Sequence, residues 1–364
     1  MKLIHANIVC NQTVFEAEVR FDNKIRSIKK LADTINPKLD YLLPGFIDLH
    51  VHGGGGVDVM DQHELDKILS THVKFGTTSL LLTTVTATHD DLKKTFEKIA
   101  LKKNYPKESE AKILGIHLEG PFINPEKLGA QPAFTRNANL TEILELHKIS
   151  PIKIMTIAPE LMDQSLYQKL IEQNIIIQIG HSNGTYDEAV FALKSGAKSF
   201  THLFNAMSGF HHRSPGVSGA ALAHAEYSEL IPDLLHVHPG AIKTALRAIP
   251  KLYFVTDSTS ATGMPDGEFK LGTHTVTKCN NGVTLPDGTL AGSALSMLQA
   301  LHNLTSEKIG LSLAEASYRL SNIPAELLGL QNSRGAIKEE LFSDLIVLDQ
   351  SLNLKKVYLE GEEA

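Results

Sequence analysis

The sequence predicts an α/β fold: a (β/α)8 barrel with a small β-sandwich domain built from both chain ends. Three observations carry that expectation. Between about residues 43 and 335, short apolar runs alternate with amphipathic helical stretches. Eight of these runs read as strands, the number that closes a parallel barrel. The ends, about 1–42 and 336–364, share a different texture of short strands broken by turn residues.

At the N-terminus, KLIHANIVC, VFEAEVRF and KIRSIKK are separated by Asn11-Gln12 and Asp22-Asn23. LFSDLIVLDQSLNLKKVYLEG repeats that texture at the C-terminus, so the two ends are expected to form one domain outside the barrel. The barrel strands are expected at 45–50, 78–84, 112–119, 152–159, 175–181, 199–204, 231–238 and 252–258. Most are apolar and branched, as strands buried on both faces must be. Helices fit between them. Glu64–Phe75 puts Leu65, Ile68, Leu69 and His72 on one side, and Thr88–Ala100 opens with a Thr-x-x-Asp cap. Thr185–Lys194 opens with Thr185 and Glu188 as a capping box and stops at Gly196. Ile242, Ala245, Leu246 and Ile249 mark another helix, and Gly219–Ala223 a packed one after Pro215-Gly216. Pro324 should break SLAEASYRLSNIPAELLGL and start a second helix at its first turn. The turn-rich stretch 259–297, with a hairpin near Cys279–Thr289, reads as an insertion near the catalytic face.

Composition narrows the classes of function. A formal net charge of −6 argues against general nucleic-acid or anionic-membrane binding. No apolar run approaches the roughly 18 residues of a membrane span, and the first residues lack a secretory h-region. Cys10 and Cys279 stand far apart, which excludes a disulfide framework and fits a cytoplasmic setting.

The 17 histidines matter by position. His50 and His52 end the first strand two residues apart, so both rings face one centre. Glu119 ends the third strand, His181 the fifth, and Asp257 the eighth, while His202 lies within the end of the sixth. Barrel enzymes place their chemistry at these carboxyl ends. Any one of the six residues alone would be read as an ordinary cap or a satisfied histidine. Their convergence from five strands makes a metal site the simpler reading. Imidazole with carboxylate suits Zn²⁺, Fe²⁺ or a similar first-row ion rather than Mg²⁺ or Ca²⁺. Glu119 has two oxygens with which to bridge two ions, which about 3.5 Å apart would share an activated hydroxide. Asp257 is the candidate acid/base, able to take the water's proton and pass it to a leaving amine.

PGFIDLHVHGGGG, HLEGPF, GHSNGT, THLFNAM, HHRSPG and VTDS occur in this order, and with them the chain resembles the N-acetylglucosamine-6-phosphate deacetylases of the amidohydrolase superfamily. The resemblance runs from Pro44 to about Ser296. It implies hydrolysis of N-acetylglucosamine 6-phosphate to glucosamine 6-phosphate and acetate, in amino sugar catabolism or cell-wall recycling. It implies one ion at Glu119, His181 and His202, a second at His50 and His52, and Asp257 as acid/base. Asn205, Ala206, Arg213 and His236 would receive the sugar phosphate, and Ala130, Leu290, Ala291 and Gly292 would line the sugar. A homodimer with a shared phosphate pocket is also implied. Arg213 has the planar fork that matches phosphate, with His211, His212 and His236 near it in sequence or motif, although the same turn would serve as a solvated basic loop. The chain departs from relatives in having Gln131 where many carry histidine; glutamine can bond sugar or acetyl oxygens but carries no proton.

Two alternatives remain at this stage. One is another amidohydrolase of aminoacylase, cyclic-imide hydrolase or deaminase type. Cyclic-imide hydrolases often bridge their metals with a carboxylated lysine ending the fourth strand; here Lys153 lies at its start and the end reads IAPE. The other is a non-catalytic binding protein on the same scaffold, which should have lost a ligand or the strand-eight Asp.

Overall fold

The computed structural model describes residues 1–61 and 65–364. Its barrel strands are Phe46–Val51, Thr77–Thr84, Lys112–Glu119, Ile152–Ile157, Ile176–Ile179, Ser199–Phe200, Tyr227–Leu230 and Lys251–Phe254. The first six form one parallel sheet in sequence order, and the last two pair with each other. Closure follows from the loops. Leu203 N–H donates to Glu229 O at 2.9 Å, joining the sixth strand's exit to the seventh. Asp257 N–H donates to His50 O at 3.0 Å, and Val51 bridges Ser258, joining the eighth to the first.

One expected strand is displaced. The run 231–238 is a loop, and the seventh strand is the preceding Tyr227–Leu230. IPDLLHVH is apolar enough to pass as a strand, but Pro232 lacks an N–H and Asp233 caps the turn by accepting from Leu235 and His236. The helix expected at Glu64–Phe75 runs Asp66–Val73, and Glu64 itself lies outside the described residues. His89–Asn104 begins at the Thr88 cap, and Tyr186–Lys194 at the full Thr185–Glu188 capping box. Pro324 stands in the first turn of Ile323–Leu327, as expected, but a π-helical turn at Tyr318–Asn322 links it to Leu313–Ser317 instead of a break. The insertion after the eighth strand is a three-stranded meander, Gly267–Leu271, His274–Cys279 and Gly282–Thr284.

The chain ends meet in one seven-stranded sheet, in which Leu345–Leu348 pairs with Tyr41–Pro44 and Lys2–Cys10 with Thr13–Phe21. Period-two alternation gives this sheet two apolar faces. Ile346 and Leu348 pack into the barrel core, while Leu345 and Val347 join Ile8, Val19 and Phe21 in a second core. Arg334 fastens sheet to barrel: its guanidinium donates to Asp344 at 2.7 Å and to Ser79 Oγ at 2.8 Å.

Candidate metal centre

At the carboxyl ends of the barrel strands, backbone conformation departs from the ordinary. His181, His202, Ala206 and Asp257 all have positive φ, between 28° and 50°. Non-glycine residues hold such angles at a cost of about 1–3 kcal/mol each, and only where the surroundings impose them. At His181, His202 and Asp257 the strands stop two or three residues earlier, and the chain turns sharply to bring the three side chains to one centre. At the first strand, Gly53 after His52 lets the chain pass close to Ser260 and Val57. A Cβ there would stand 2.6 Å from Ser260 N and Val57 O, which bars larger residues.

These turns bring every expected ligand into one buried cluster. Glu119 Oε1 lies 3.2 Å from His181 Nε2 and 3.1 Å from His202 Nε2, and the two ring nitrogens are 3.0 Å apart. Glu119 Oε2 lies 3.1 Å from His52 Nε2 and 3.5 Å from His50 Nε2, themselves 3.1 Å apart. Asp257 Oδ1 stands 3.4 and 3.3 Å from the same two rings. Nitrogens bound at 2.0–2.1 Å to one tetrahedral ion would be about 3.3–3.4 Å apart, so these separations suit shared coordination.

Three rings are oriented from behind. His50 Nδ1 meets Glu229 Oε1 at 2.7 Å, His52 Nδ1 meets Thr83 O at 3.2 Å, and His181 Nδ1 meets Lys127 O at 2.7 Å. Each contact points Nε2 at the centre, the arrangement expected behind metal-binding imidazoles. Among the described residues His202 Nδ1 has no such partner; this residue is held by its backbone N–H, which donates to Glu229 Oε1 at 3.1 Å.

Electrostatics agree with a cation site. Burial disfavours charge on all of these groups. Against that burial, the carboxylates of Glu119, Asp257 and Glu229 hold His50 well above the usual imidazole range, and Asp257 with Glu119 raises His52 to about 9. Burial likewise opposes ionisation of the acids, but the histidine charges press Glu119 well below the carboxylate range and Asp257 down to about 2. The carboxylates thus draw positive charge into the centre, which a divalent ion supplies in place of protons. The donor set fits such an ion.

A cavity of about 260 Å³ opens above the cluster, lined by His52, Glu119, His181, His202 and Asp257. Ala130, Gln131, Asn205, Ala206, His236, Leu290 and Gly292 also line it. Three expected residues do not. His50 is fully buried behind His52, and Ala291 is buried outside the cavity wall. Arg213 is exposed on the turn after Phe210, its guanidinium 3.1 Å from His212 Nε2. His236 Nδ1 is committed to Asp233 at 2.7 Å.

Sequence reasoning missed the layer beneath. His117, Thr156, Thr201, Gln178, Tyr253 and Glu229 form a chain of hydrogen bonds across the barrel interior, 2.5–3.3 Å per step. Burial, with the charge on His50, pushes His117 down to about 3, so it sits neutral beneath the candidate ligands. Asp48 accepts from Thr256 Oγ1 at 2.6 Å and ties the first strand to the eighth. A signal existed: single polar residues inside otherwise apolar strands, such as Gln178 in IIIQIGH. Glu229 was hidden by the misplaced seventh strand.

A (β/α)8 barrel whose strand ends bring four histidines and two carboxylates into one buried cluster beneath a cavity defines a metal-dependent hydrolase. The chain matches the amidohydrolase family over residues 41–364 and belongs to that family. It is 39% identical over 340 residues to N-acetylglucosamine-6-phosphate deacetylase of Bacillus subtilis, covering 90% of this chain and 85% of the relative. It is 34% identical over 352 residues to N-acetylgalactosamine-6-phosphate deacetylase of Escherichia coli O157:H7, covering 94% and 93%. Among solved structures, N-acetylglucosamine-6-phosphate deacetylase from Thermotoga maritima superimposes with a TM-score of 0.91 at 32% identity, covering 100% of this chain and 99% of that one.

Proposed function

We propose that this chain hydrolyses N-acetylglucosamine 6-phosphate to glucosamine 6-phosphate and acetate, as a cytoplasmic homodimer. The observation that carries the reading is that candidate metal ligands, Asp257 and the motif residues Asn205, Ala206, His236, Leu290 and Gly292 share one cavity. Glu119, His181 and His202 would hold one zinc or iron ion, and His50 and His52 with Glu119 a second. When bound, such an ion lowers the pKa of water and polarises the amide carbonyl.

The chain's own groups supply the rest. Asp257 is ionised and faces the cavity, so its carboxylate accepts the proton of the attacking water. It returns that proton to the sugar nitrogen as the C–N bond breaks, because an unprotonated amide nitrogen would have to leave as an amine anion. Ala206 and His236 receive the phosphate, on a turn that Asn205 shapes. The Asn205 amide nitrogen is engaged with the carbonyls of His202 and Leu203, which fixes the turn beside the metal centre. Arg213, outside the wall of its own cavity, is assigned to the phosphate of the neighbouring subunit.

Acetate release from N-acetylglucosamine 6-phosphate, its C4 epimer and unphosphorylated N-acetylglucosamine tests the reading. The first should react fastest and the unphosphorylated sugar at least tenfold more slowly in kcat/KM, since one lost charge-assisted contact is worth about 1.5–3 kcal/mol. Equal rates with and without phosphate would remove the phosphate assignment, and a faster C4 epimer would reassign the sugar.

A further inference from the structure

We propose that Gln131 is a positioning residue that divides Glu119 unequally between its two groups of ligands, favouring an ion at Glu119–His181–His202 over one at His50–His52. The inference rests on the reading of these five residues as divalent-ion ligands.

Gln131 is buried in the loop after the third strand, at the cavity wall. Its Oε1 accepts from the Thr86 backbone N–H at 2.7 Å, and its Nε2 donates to Glu119 Oε2 at 2.5 Å. A backbone N–H can only donate and a carboxylate can only accept. Both neighbours therefore demand the same amide orientation, and a flipped amide would break both bonds at once. The side chain is a fixed donor aimed at one oxygen of Glu119.

That oxygen is the one facing His50 and His52. Oε1 serves His181 and His202, and the Gln131 amide leaves it untouched. A donor on Oε2 occupies a lone pair and draws electron density from it, so it competes with an ion approaching the same atom. The same bond also fixes the plane of the carboxylate with Oε1 turned toward His181 and His202. Hydrogen bonds that orient a ligand in this way raise its affinity for metal. One contact thus weakens one position and strengthens the other.

Equilibrium dialysis of the wild-type protein against buffered free Zn²⁺, with bound ions counted per chain by elemental analysis, should show two filling steps. The double variant His50→Gln, His52→Gln should keep only the step at lower free zinc. Gln131→Met keeps the length of the side chain without its donor or acceptor. In it the first step should move to higher free zinc by about tenfold and the second to lower, so that the steps converge. Gln131→His can still accept from Thr86 and donate to Glu119, and should keep the steps apart; circular dichroism checks that each variant is folded. Steps that stay put or move in the same direction in Gln131→Met would overturn the role of Gln131, as would Gln131→His behaving like Gln131→Met. A wild-type protein that takes up no zinc would overturn the ligand assignment beneath it.

Discussion

Asp257 occupies a left-handed turn three residues past the eighth strand, with its carboxylate ionised against the His50 and His52 rings. Asp257→Asn keeps the shape and removes the proposed proton acceptor. It should lower kcat by about 10²–10⁴-fold while metal content stays near that of the wild type, because the Glu119 oxygens and four imidazoles remain. Loss of metal together with activity, read by elemental analysis, would make Asp257 chiefly a ligand. Residues of this kind were legible in the sequence for a physical reason. Metal-binding side chains must be His, Cys or carboxylate, and a barrel confines them to strand ends, so type and position together single them out. Gln131 was visible only as a departure. Its contacts with Thr86 and Glu119 depend on loop geometry that no local pattern encodes, and the bond from Glu229 to His50 spans 179 residues.

At the scale of elements, the helix Asp66–Val73 lies under the glycine turn that follows His52. His72 Nε2–H donates to Gly53 O at 3.0 Å, and burial depresses the ring to about 4, so it is neutral in the fold. The unfolded imidazole titrates near 6.5. Unfolding therefore takes up a proton between these values: the contribution is complete above pH 6.5 and lost as pH falls toward 4. With 1.36 kcal/mol per pKa unit the loss is about 3 kcal/mol. His72→Gln keeps a donor for Gly53 without that titration. Denaturant unfolding at pH 7.5 and pH 4 should show a wild-type stability drop larger than the variant's by about that amount; equal drops would mean that His72 is not held neutral. The elements themselves were read well where periodicity was strong, as in Lys112–Glu119 and the capped helix Tyr186–Lys194. The seventh strand was not, because Tyr227–Leu230 is four residues long and carries a charged Glu229 turned into the polar interior of the barrel. An apolar loop beside it made the stronger local signal.

At the scale of the whole molecule, the proposed homodimer bears on Arg213. Arg213 has the guanidinium fork suited to phosphate, yet it is exposed outside the wall of its own cavity. Two-fold symmetry resolves this if each subunit's turn reaches its neighbour's site, since such an interface lends the same residue in both directions. Subunit mixing distinguishes the two arrangements. Arg213→Ala and Asp257→Asn homodimers should each be nearly inactive on the phosphorylated substrate. When they are unfolded together and refolded in equal amounts, half of the dimers are mixed. In a mixed dimer the Arg213→Ala subunit keeps its own Asp257 and borrows Arg213 from its partner, whereas the other site lacks both groups. With half of the dimers mixed and one of two sites restored in each, activity should return to about a quarter of wild type. If Arg213 serves its own subunit, every site in the mixture lacks one group and nothing returns. Recovery in the mixture, absent from either variant refolded alone, would place the phosphate pocket across the dimer.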